Sequence, residues 1–355
     1  AAGPRARRGT GWMVFAFILL ALLAISMLYN LQQFFGSLLQ GGRRYAQAAG
    51  PKLEEVVRED NGARDKVALI ELTGIITSDA YDGGGYGMVD VIQAQLDRAA
   101  EDDQVRAVLL KVDSPGGEVL AADELYRAIS RFQKETGKPV IASMGSVAAS
   151  GGYYVSAACR WIVANELTLT GSIGVIMQSY NYRGLMNKVG LQPQTYKSGR
   201  FKDMLSGSRE PSEIPAEERQ MLQSLIDQVY LRFKEVVASG RELARQKNQN
   251  SKAKGRELRA DWTEYADGRV LSGLEAYKLG FVDELGNFRD AFQRSLEIAG
   301  VEEANLVEYQ LHVSFSDLLR LFGKTEARTL KVDVGLDLPK LRAGQLYFLS
   351  SSLLQ

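Results

Sequence analysis

Residues 105–120 read VRAVLLKVDSPGGEVL, and this stretch decides the fold class. Val105 to Val112 is a nearly continuous apolar run, which is typical of a strand buried on both faces of a parallel sheet. An Asp-Ser-Pro-Gly-Gly turn follows at once, and apolar residues then recur at helical spacing from Glu118 to Lys134. A buried strand, a tight glycine turn and an amphipathic helix in succession indicate an α/β protein.

The same alternation continues on both sides of this stretch. Strands are predicted at Val67–Leu72 and Val140–Met144, and a helix is predicted at Val89–Ala100. A long helix is predicted from Pro215 to about Lys247, and part of a short one at Ala291–Ala299. Strand–helix–strand units at this spacing predict right-handed parallel crossovers.

Composition excludes several classes of function. The 43 basic and 43 acidic residues leave no net charge, which argues against broad nucleic-acid binding. With one Cys and one His, the chain has no internal disulfide framework, no Cys-based zinc site and no multi-His metal centre. Any Ser-His-Asp mechanism would depend on His312 alone, so the base of an enzyme with this sequence is not expected to be histidine.

An apolar segment precedes the α/β region. Trp12–Tyr29 is almost wholly apolar and, as a helix, is long enough to cross a hydrocarbon layer of roughly 30 Å. Arg5, Arg7 and Arg8 come before it, so the positive-inside rule places residues 1–11 in the cytoplasm and the bulk of the chain on the far side. A cleaved signal peptide is the alternative, but no convincing cleavage site ends the apolar run.

The rest of the chain divides into three parts. Residues 30–65 are predicted to be a juxtamembrane segment and linker, which is polar and charged from Gly50 to Asp65. Residues 66–300 contain the alternating strands and helices of one domain. Residues 301–355 are an extension with strand-like runs, which we expect to pack on the domain or on an oligomer interface.

Two turns carry residues suited to catalysis. DSPGG (113–117) follows one predicted strand, and GSVAASGGYY (145–154) follows the next. Glycines let the backbone turn sharply and present N–H groups, and a serine at a strand-to-helix turn is well placed to meet a ligand. Such turns on one sheet edge can combine a nucleophile with an oxyanion hole. The residues alone leave the base open, because a desolvated lysine can replace histidine and the chain has many lysines.

Six motifs follow one another along the chain: DSPGG (113–117), GSVAASGGYY (145–154), LTGSIGV (169–175), YKSGRFKD (196–203), GRV (268–270) and AYKLGFVDELG (276–286). In this order and spacing, the set resembles the signal peptide peptidase A (protease IV) family of bacterial serine proteases. The resemblance covers roughly residues 66–286. No internal repeat is present, so the short, single-length form of the family is implied.

The resemblance implies the Clp-protease/crotonase-like fold, a spiral of ββα units, here behind an N-terminal transmembrane helix. It also implies a Ser/Lys dyad that needs no cofactor and no metal. Ser150 corresponds to the nucleophile and Lys202 to the general base. Lys197 lies in the same motif and is the rival for the base, and spacing alone does not choose between the two lysines.

Other site residues follow from the same correspondence. Backbone N–H groups of Gly116 or Gly117 and of Gly151 would form the oxyanion hole. Ser172 is a candidate for orienting the dyad. The resemblance to single-length members implies a ring-shaped homo-oligomer in which the lysine of one protomer reaches the serine of its neighbour. The active sites are therefore expected to be shared between protomers.

Together these features predict a membrane-anchored serine endopeptidase that degrades released signal peptides and other hydrophobic peptides. Residues 12–29 would hold it in the bacterial inner (cytoplasmic) membrane as a single-pass protein, with the catalytic domain periplasmic or extracytoplasmic. Two alternatives remain open: a crotonase-type acyl-CoA enzyme with the same fold, and a non-catalytic membrane scaffold. The first would need a carboxylate at the reacting centre, and intact Ser150 and Lys202 argue against the second.

Overall fold

The computed structural model describes residues 50–79, 86–249, 254–311 and 346–349, together with residues 19, 20, 22, 23, 26 and 27. The chain forms two compact units, Ala1–Ala49 and Gly50–Gln355. In the first unit the described residues are helical and exposed. None of the helices in the described ranges is both long and apolar enough to cross a membrane. Most of the span predicted at residues 12–29 lies outside those ranges, as does His312.

The second unit alternates strands with helices. Its strands are β1 (Leu53–Glu59), β2 (Lys66–Thr73), β3 (Val105–Ser114), β4 (Gly116–Glu118), β5 (Val140–Ala149), β6 (Trp161–Ala164), β7 (Leu169–Gly171), β8 (Ile176–Met177), β9 (Val270–Ser272), β10 (Glu284–Leu285), β11 (Asn305–Leu311) and β12 (Leu346–Leu349). Its α-helices are α1 (Met88–Glu101), α2 (Val119–Thr136), α3 (Gly151–Ser156), α4 (Arg183–Lys188), α5 (Ala216–Asn248), α6 (Gly273–Leu279) and α7 (Phe288–Ala299). Short 3₁₀ helices form at Pro211–Glu213 and Trp262–Tyr265.

A large mixed sheet forms the centre of this unit. Its strands follow the order β1-β11-β2-β3-β5-β6-β10, and β7 and β9 extend it beside the second half of β5. Neighbours from β11 to β10 run parallel, as predicted for the strands among them. Along β3, Ala107 and Leu109 join the core that contains α7 residues, whereas Val108 and Leu110 join the core with α1 and α2. The apolar run of β3 is therefore buried on both faces.

Most of the predicted strands and helices agree with the structure to within a few residues, and two differences are informative. β5 continues past the predicted end at Met144 to Ala149. Its first half pairs with β6, and its second half, Val147–Ala149, pairs with β7. The small residues after Met144 therefore extend the strand because a second partner strand is available there. This extension carries the chain directly to Ser150.

The prediction of a linker from Gly50 to Asp65 is wrong for Leu53–Glu59, because these residues form β1. This strand pairs antiparallel with β11 at the edge of the large sheet. Its charged side chains remain accessible there and find partners, including an ion pair between Glu55 and Lys66 at 2.8 Å. An edge strand tolerates the polar composition that resembles a linker, because only part of its surface is buried.

A second sheet has three strands and includes β4 of the DSPGG turn. β12 is its central strand and pairs antiparallel with β4 on one side and with β8 on the other. The register opposes Phe348 to Gly117 and Leu349 to Gly116. The extension predicted after residue 300 therefore contributes β11 to the large sheet and places residues 346–349 against the DSPGG turn.

Candidate active site

Ser150 occupies a strained turn between β5 and α3. Its backbone has φ 53° and ψ −115°, a region that non-glycine residues rarely adopt. Its N–H donates to the carbonyl of Gly171 at 2.8 Å, and its carbonyl accepts from the N–H of Tyr154 at 2.8 Å. The residue is fully buried, and its Oγ has no hydrogen-bond partner within the described part of the chain. Strain of this kind and an unused hydroxyl are typical of a functional position.

The paired glycines of the DSPGG turn fit a very narrow space beside Ser150. Gly116 has φ +106°, and a Cβ atom there would stand 1.9 Å from the carbonyl oxygen of Phe348 and 2.8 Å from the amide nitrogen of Gly151. A Cβ atom at Gly117 would stand 2.0 Å from the carbonyl oxygen of Ile76. The structure thus brings Gly116 and Gly151 together beside the carbonyl of Phe348, with Gly117 next to them in β4. Their role as an oxyanion hole stays a prediction.

Backbone hydrogen bonds hold β4 from behind. The N–H of Ile76 donates to the carbonyl of Gly116 at 2.9 Å, and the N–H of Glu118 donates to the carbonyl of Ile76 at 2.8 Å. The Glu118 carboxylate in turn accepts from Thr77 and Ser78. One edge of β4 is therefore hydrogen-bonded to Ile76. The other edge can pair with one extended segment, and residues 346–349 occupy that position.

The side chain of Phe348 fills an aromatic pocket. Its ring stacks on Tyr154 with centroids 4.8 Å apart and lies 4.6 Å from Phe233 of α5. Tyr154 is on α3, so the pocket wall and Ser150 are fixed by the same short helix. A groove of about 650 Å³ continues beside Leu346 and Phe348, between α2 and α5. Large apolar side chains on one face of an extended peptide would fit this groove.

A hydrogen bond orients the Tyr154 ring. The Tyr154 hydroxyl donates to Asp123 Oδ1 at 2.6 Å. Burial, and then the neighbouring Asp123, raise the pKa of this hydroxyl, so it stays protonated. Burial opposes ionisation of Asp123, but hydrogen bonds from Tyr154 and Arg127 outweigh it and lower the pKa of the carboxyl. A protonated donor therefore faces a charged acceptor, which makes the contact strong.

Ser172 lies close to Ser150 without a hydrogen bond to its hydroxyl. It is buried with φ 49°, and its N–H donates to the carbonyl of Arg269 at 2.7 Å. It directly follows Gly171, whose carbonyl holds the N–H of Ser150. With Leu349 it lines a cavity on the other side of β12. The structure thus places Ser172 beside the backbone of Ser150, whereas its orienting role stays a prediction.

Lys202 is not brought to Ser150 within the chain. It lies in the turn at residues 199–206 with an exposed side chain, and within the described ranges that side chain has no hydrogen-bond or ion-pair partner. Lys197, its rival, is engaged: its Nζ donates to Asp203 Oδ1 at 2.7 Å and to the carbonyl of Arg200 at 3.1 Å. Only Lys202 is therefore left free to meet a group from outside its own turn.

The other candidate groups do not enter this site. Cys159 is buried, and burial raises the pKa of its thiol, so it remains protonated and unreactive. Among the residues that the structure describes, no group of three or more His, Cys, Asp and Glu side chains could hold a metal ion.

Comparison with known proteins places this geometry in a family. Residues 132–302 match the profile of peptidase family S49. A Synechocystis protein provisionally named a protease is 36% identical over 275 residues, which cover 77% of this chain and 89% of that protein. An Enterococcus faecium protein provisionally named signal peptide peptidase SppA is 34% identical over 263 residues, covering 73% of this chain and 71% of that protein.

The chain belongs to peptidase family S49. It is a serine peptidase, and its resemblance to the signal peptide peptidase A family is confirmed. Protease 4 of Haemophilus influenzae is 32% identical over 247 residues, which cover 69% of this chain but 36% of that longer protein. The α/β architecture with a parallel sheet agrees with membership of the family.

Several residues at the S49 site were not predicted from the sequence. Asp113 links the DSPGG turn to the second half of β5, because its Oδ1 accepts from the N–H of Val147 at 3.0 Å. The buried Ser114 Oγ accepts from the N–H of Gly116 at 3.2 Å. Both belong to the DSPGG motif, so the motif itself was the available signal. Phe233 and Phe348 are far from the turns in sequence, and no local pattern connects them to the serine.

Proposed function

We propose that this S49 peptidase is an endopeptidase that binds an extended peptide as an antiparallel strand on β4 and cleaves it with Ser150. One observation carries the proposal: residues 346–349 already lie in this way, with the carbonyl of Phe348 in the corner formed by Gly116 and Gly151. Addition of a strand to a free sheet edge is a common mode of peptide recognition, in which backbone hydrogen bonds give affinity and pockets give specificity.

In the proposed mechanism, neutral Lys202 takes the proton of the Ser150 hydroxyl as its Oγ attacks the peptide carbonyl. The N–H groups of Gly116 or Gly117 and of Gly151 then hold the tetrahedral oxyanion. The lysine returns the proton to the leaving amine, and water hydrolyses the acyl-enzyme by the same route. The unpartnered Ser150 Oγ and the unpartnered Lys202 side chain support these roles.

A second copy of the chain would complete the site. No residue from 174 to 217 is buried, although this arm carries large apolar side chains. Tyr196 is 92% exposed and Val189 is 69% exposed. Apolar surface of this extent is typical of an interface. In a ring-shaped homo-oligomer, the arm of one protomer would bring Lys202 to the Ser150 of its neighbour.

The substrates we propose are hydrophobic peptides, including released signal peptides. The aromatic pocket around Phe348 and the adjoining groove favour apolar side chains. The apolar segment at residues 12–29 would anchor the enzyme in the bacterial inner membrane, with the peptidase domain outside the cytoplasm. Within this proposal, the α/β unit is a Clp-protease/crotonase-like fold.

Paired substitutions test the dyad. Ser150→Ala should lower kcat/KM on a hydrophobic peptide by on the order of 10⁴-fold. Its control is Ser146→Ala, because Ser146 is exposed on β5 four residues before Ser150 and should be dispensable. Lys202→Met should lower kcat/KM by on the order of 10³-fold or more, with Lys188→Met on the same arm as control. Activity that survives either dyad substitution would overturn the proposal.

A further inference from the structure

We propose that Lys197 and Arg209 are positioning residues that keep Lys202 free of any carboxylate partner, so that it can act as a neutral base. This inference rests on the proposed function, because it assumes that Lys202 is the base. A lysine needed as a base must lose its proton near neutral pH, and a nearby carboxylate opposes that loss by stabilising the ammonium form. The turn that carries Lys202 therefore has to satisfy its own acidic groups with other cations.

Acidic side chains around this turn pair with cations other than Lys202, and Asp203 has two such partners, Lys197 and, at 3.6 Å, Arg209. The ion pairs are Asp203 with Lys197 at 2.7 Å, Glu217 with Arg200 at 2.6 Å, Glu218 with Arg209 at 2.7 Å and Glu210 with Arg183 at 3.0 Å. These groups come from the turn and the residues that follow it, from α4, from Glu210 just before the Pro211–Glu213 helix, and from the start of α5. Glu213, the remaining carboxylate on these elements, interacts electrostatically with Arg209.

Arg209 also fixes the shape of the turn. Its guanidinium donates to the carbonyls of Asp203 at 3.3 Å and Glu213 at 2.8 Å. Glu218 is buried and accepts from the N–H of Leu205 at 3.3 Å as well as from Arg209. Leu205 has φ 64°, so this short segment adopts a specific and unfavourable backbone that the contacts must hold. These contacts therefore hold the backbone of the turn in shape and pair its carboxylates with cations other than Lys202.

Asp203 is the decisive carboxylate because it is adjacent to Lys202 in the chain. A hydrogen bond from Lys197, with Arg209 nearby, lowers the pKa of the Asp203 carboxyl and keeps it ionised. Without Lys197, this carboxylate would lose its closest cation and keep Arg209 Nη1 at 3.6 Å. Lys202 is adjacent in the chain and has no partner within the described ranges, so it would be a further cation available to Asp203. Pairing would hold Lys202 in its ammonium form and remove the base from the reaction at lower pH.

The pH dependence of kcat/KM in the full-length assembly tests this. In Lys197→Met, we expect the acidic limb of the profile to move up by about half a pH unit, with the plateau at high pH nearly unchanged. Lys188→Met removes one lysine from the same arm without touching Asp203 and should leave the limb in place. Size and circular dichroism of each variant establish that fold and assembly are intact.

A second substitution separates charge from structure. In Lys197→Met/Asp203→Asn the released carboxylate is gone, so the acidic limb should return to the wild-type position. An unmoved limb in Lys197→Met, or a limb that Asp203→Asn does not restore, would overturn the proposal. Loss of activity at every pH in Lys197→Met would instead identify Lys197 as the base and overturn it too.

Failure of the proposed function has a different signature. If Lys202→Met retains activity, the dyad assignment is wrong, and the proposal that Lys197 and Arg209 position the base is wrong as well. If Lys202→Met is inactive while Lys197→Met keeps the wild-type profile, the dyad stands and only the network proposal fails.

Discussion

The surroundings of Ser150 and those of Lys202 differ in almost every physical respect. Ser150 is fully buried among β4, β5, β7 and α3, and backbone hydrogen bonds fix the residues on each side of it. Lys202 lies on an arm, residues 174–217, in which no residue is buried. One half of the proposed dyad is thus complete within a single chain. The arm that carries the other half exposes apolar side chains to an extent that is typical of a protein–protein interface.

Among the substitutions that probe this contrast, Gly116→Ala should have the largest effect, because its new Cβ atom would lie in the buried region beside Ser150. The new Cβ atom would meet the Phe348 carbonyl and the Gly151 amide, both of them backbone groups that cannot easily give way. We expect kcat/KM to fall by on the order of 10²–10³-fold, which is comparable to the loss of an oxyanion donor. Steady-state hydrolysis of a hydrophobic peptide measures this.

Gly137→Ala is the matched control for that substitution. Gly137 ends α2 with φ +72°, and a Cβ atom there would have no heavy atom within 4 Å. Its cost should be about 1 kcal/mol of stability with no change in kcat/KM. Equal activity losses in the two variants would mean that left-handed glycines matter here only for folding, not for the geometry of the corner.

Tyr196→Ser should have an intermediate effect on activity, because it alters the exposed arm that carries Lys202. Removing the most exposed aromatic side chain of the arm should weaken assembly, so that activity appears only at about 10-fold higher protein concentration. Sedimentation and activity measured over the same dilution series would show both changes. Tyr196→Phe keeps the ring and should behave like the wild type. Full activity of Tyr196→Ser at the lowest concentration would contradict a role of the arm in forming the active site.

Asp123→Asn should have the smallest effect and a defined pH dependence. The pKa of Asp123 is lowered in the folded chain, so its ionised form contributes stability above the unfolded value of about 3.9, and this contribution is lost as pH falls further. Urea unfolding should show a deficit of about 1 kcal/mol at pH 7, where solvent screens part of the interaction, and a narrowing deficit below pH 4. A deficit independent of pH would contradict the ionised hydrogen bond from Tyr154.

Local patterns predicted the architecture of the buried half well. The continuous apolar run of β3 and the glycine turns after β3 and β5 depend on adjacent residues, and these features indicated the parallel sheet and the corner around Ser150. The β1 strand escaped prediction because its stability comes from pairing with β11, which lies far away in the sequence. Edge strands with charged residues give little local signal.

The remaining parts of the site depend on contacts that no local pattern encodes. Phe348 reaches Tyr154 and Phe233 only through the pairing of β12 with β4. The motif around Lys202 contains two lysines, and spacing did not distinguish them. The ion pair of Lys197 with Asp203 distinguishes them physically, since Lys202 has no such partner in the part of the chain that the structure describes.

Mixing two inactive variants tests the shared active site most directly. Ser150→Ala retains Lys202, and Lys202→Met retains Ser150, so a mixed oligomer would contain sites with one intact residue from each neighbour. If the two chains mix at random, about a quarter of the sites should be complete, and a corresponding share of wild-type activity should return. Mixed oligomers that demonstrably contain both chains and yet remain inactive would contradict the account.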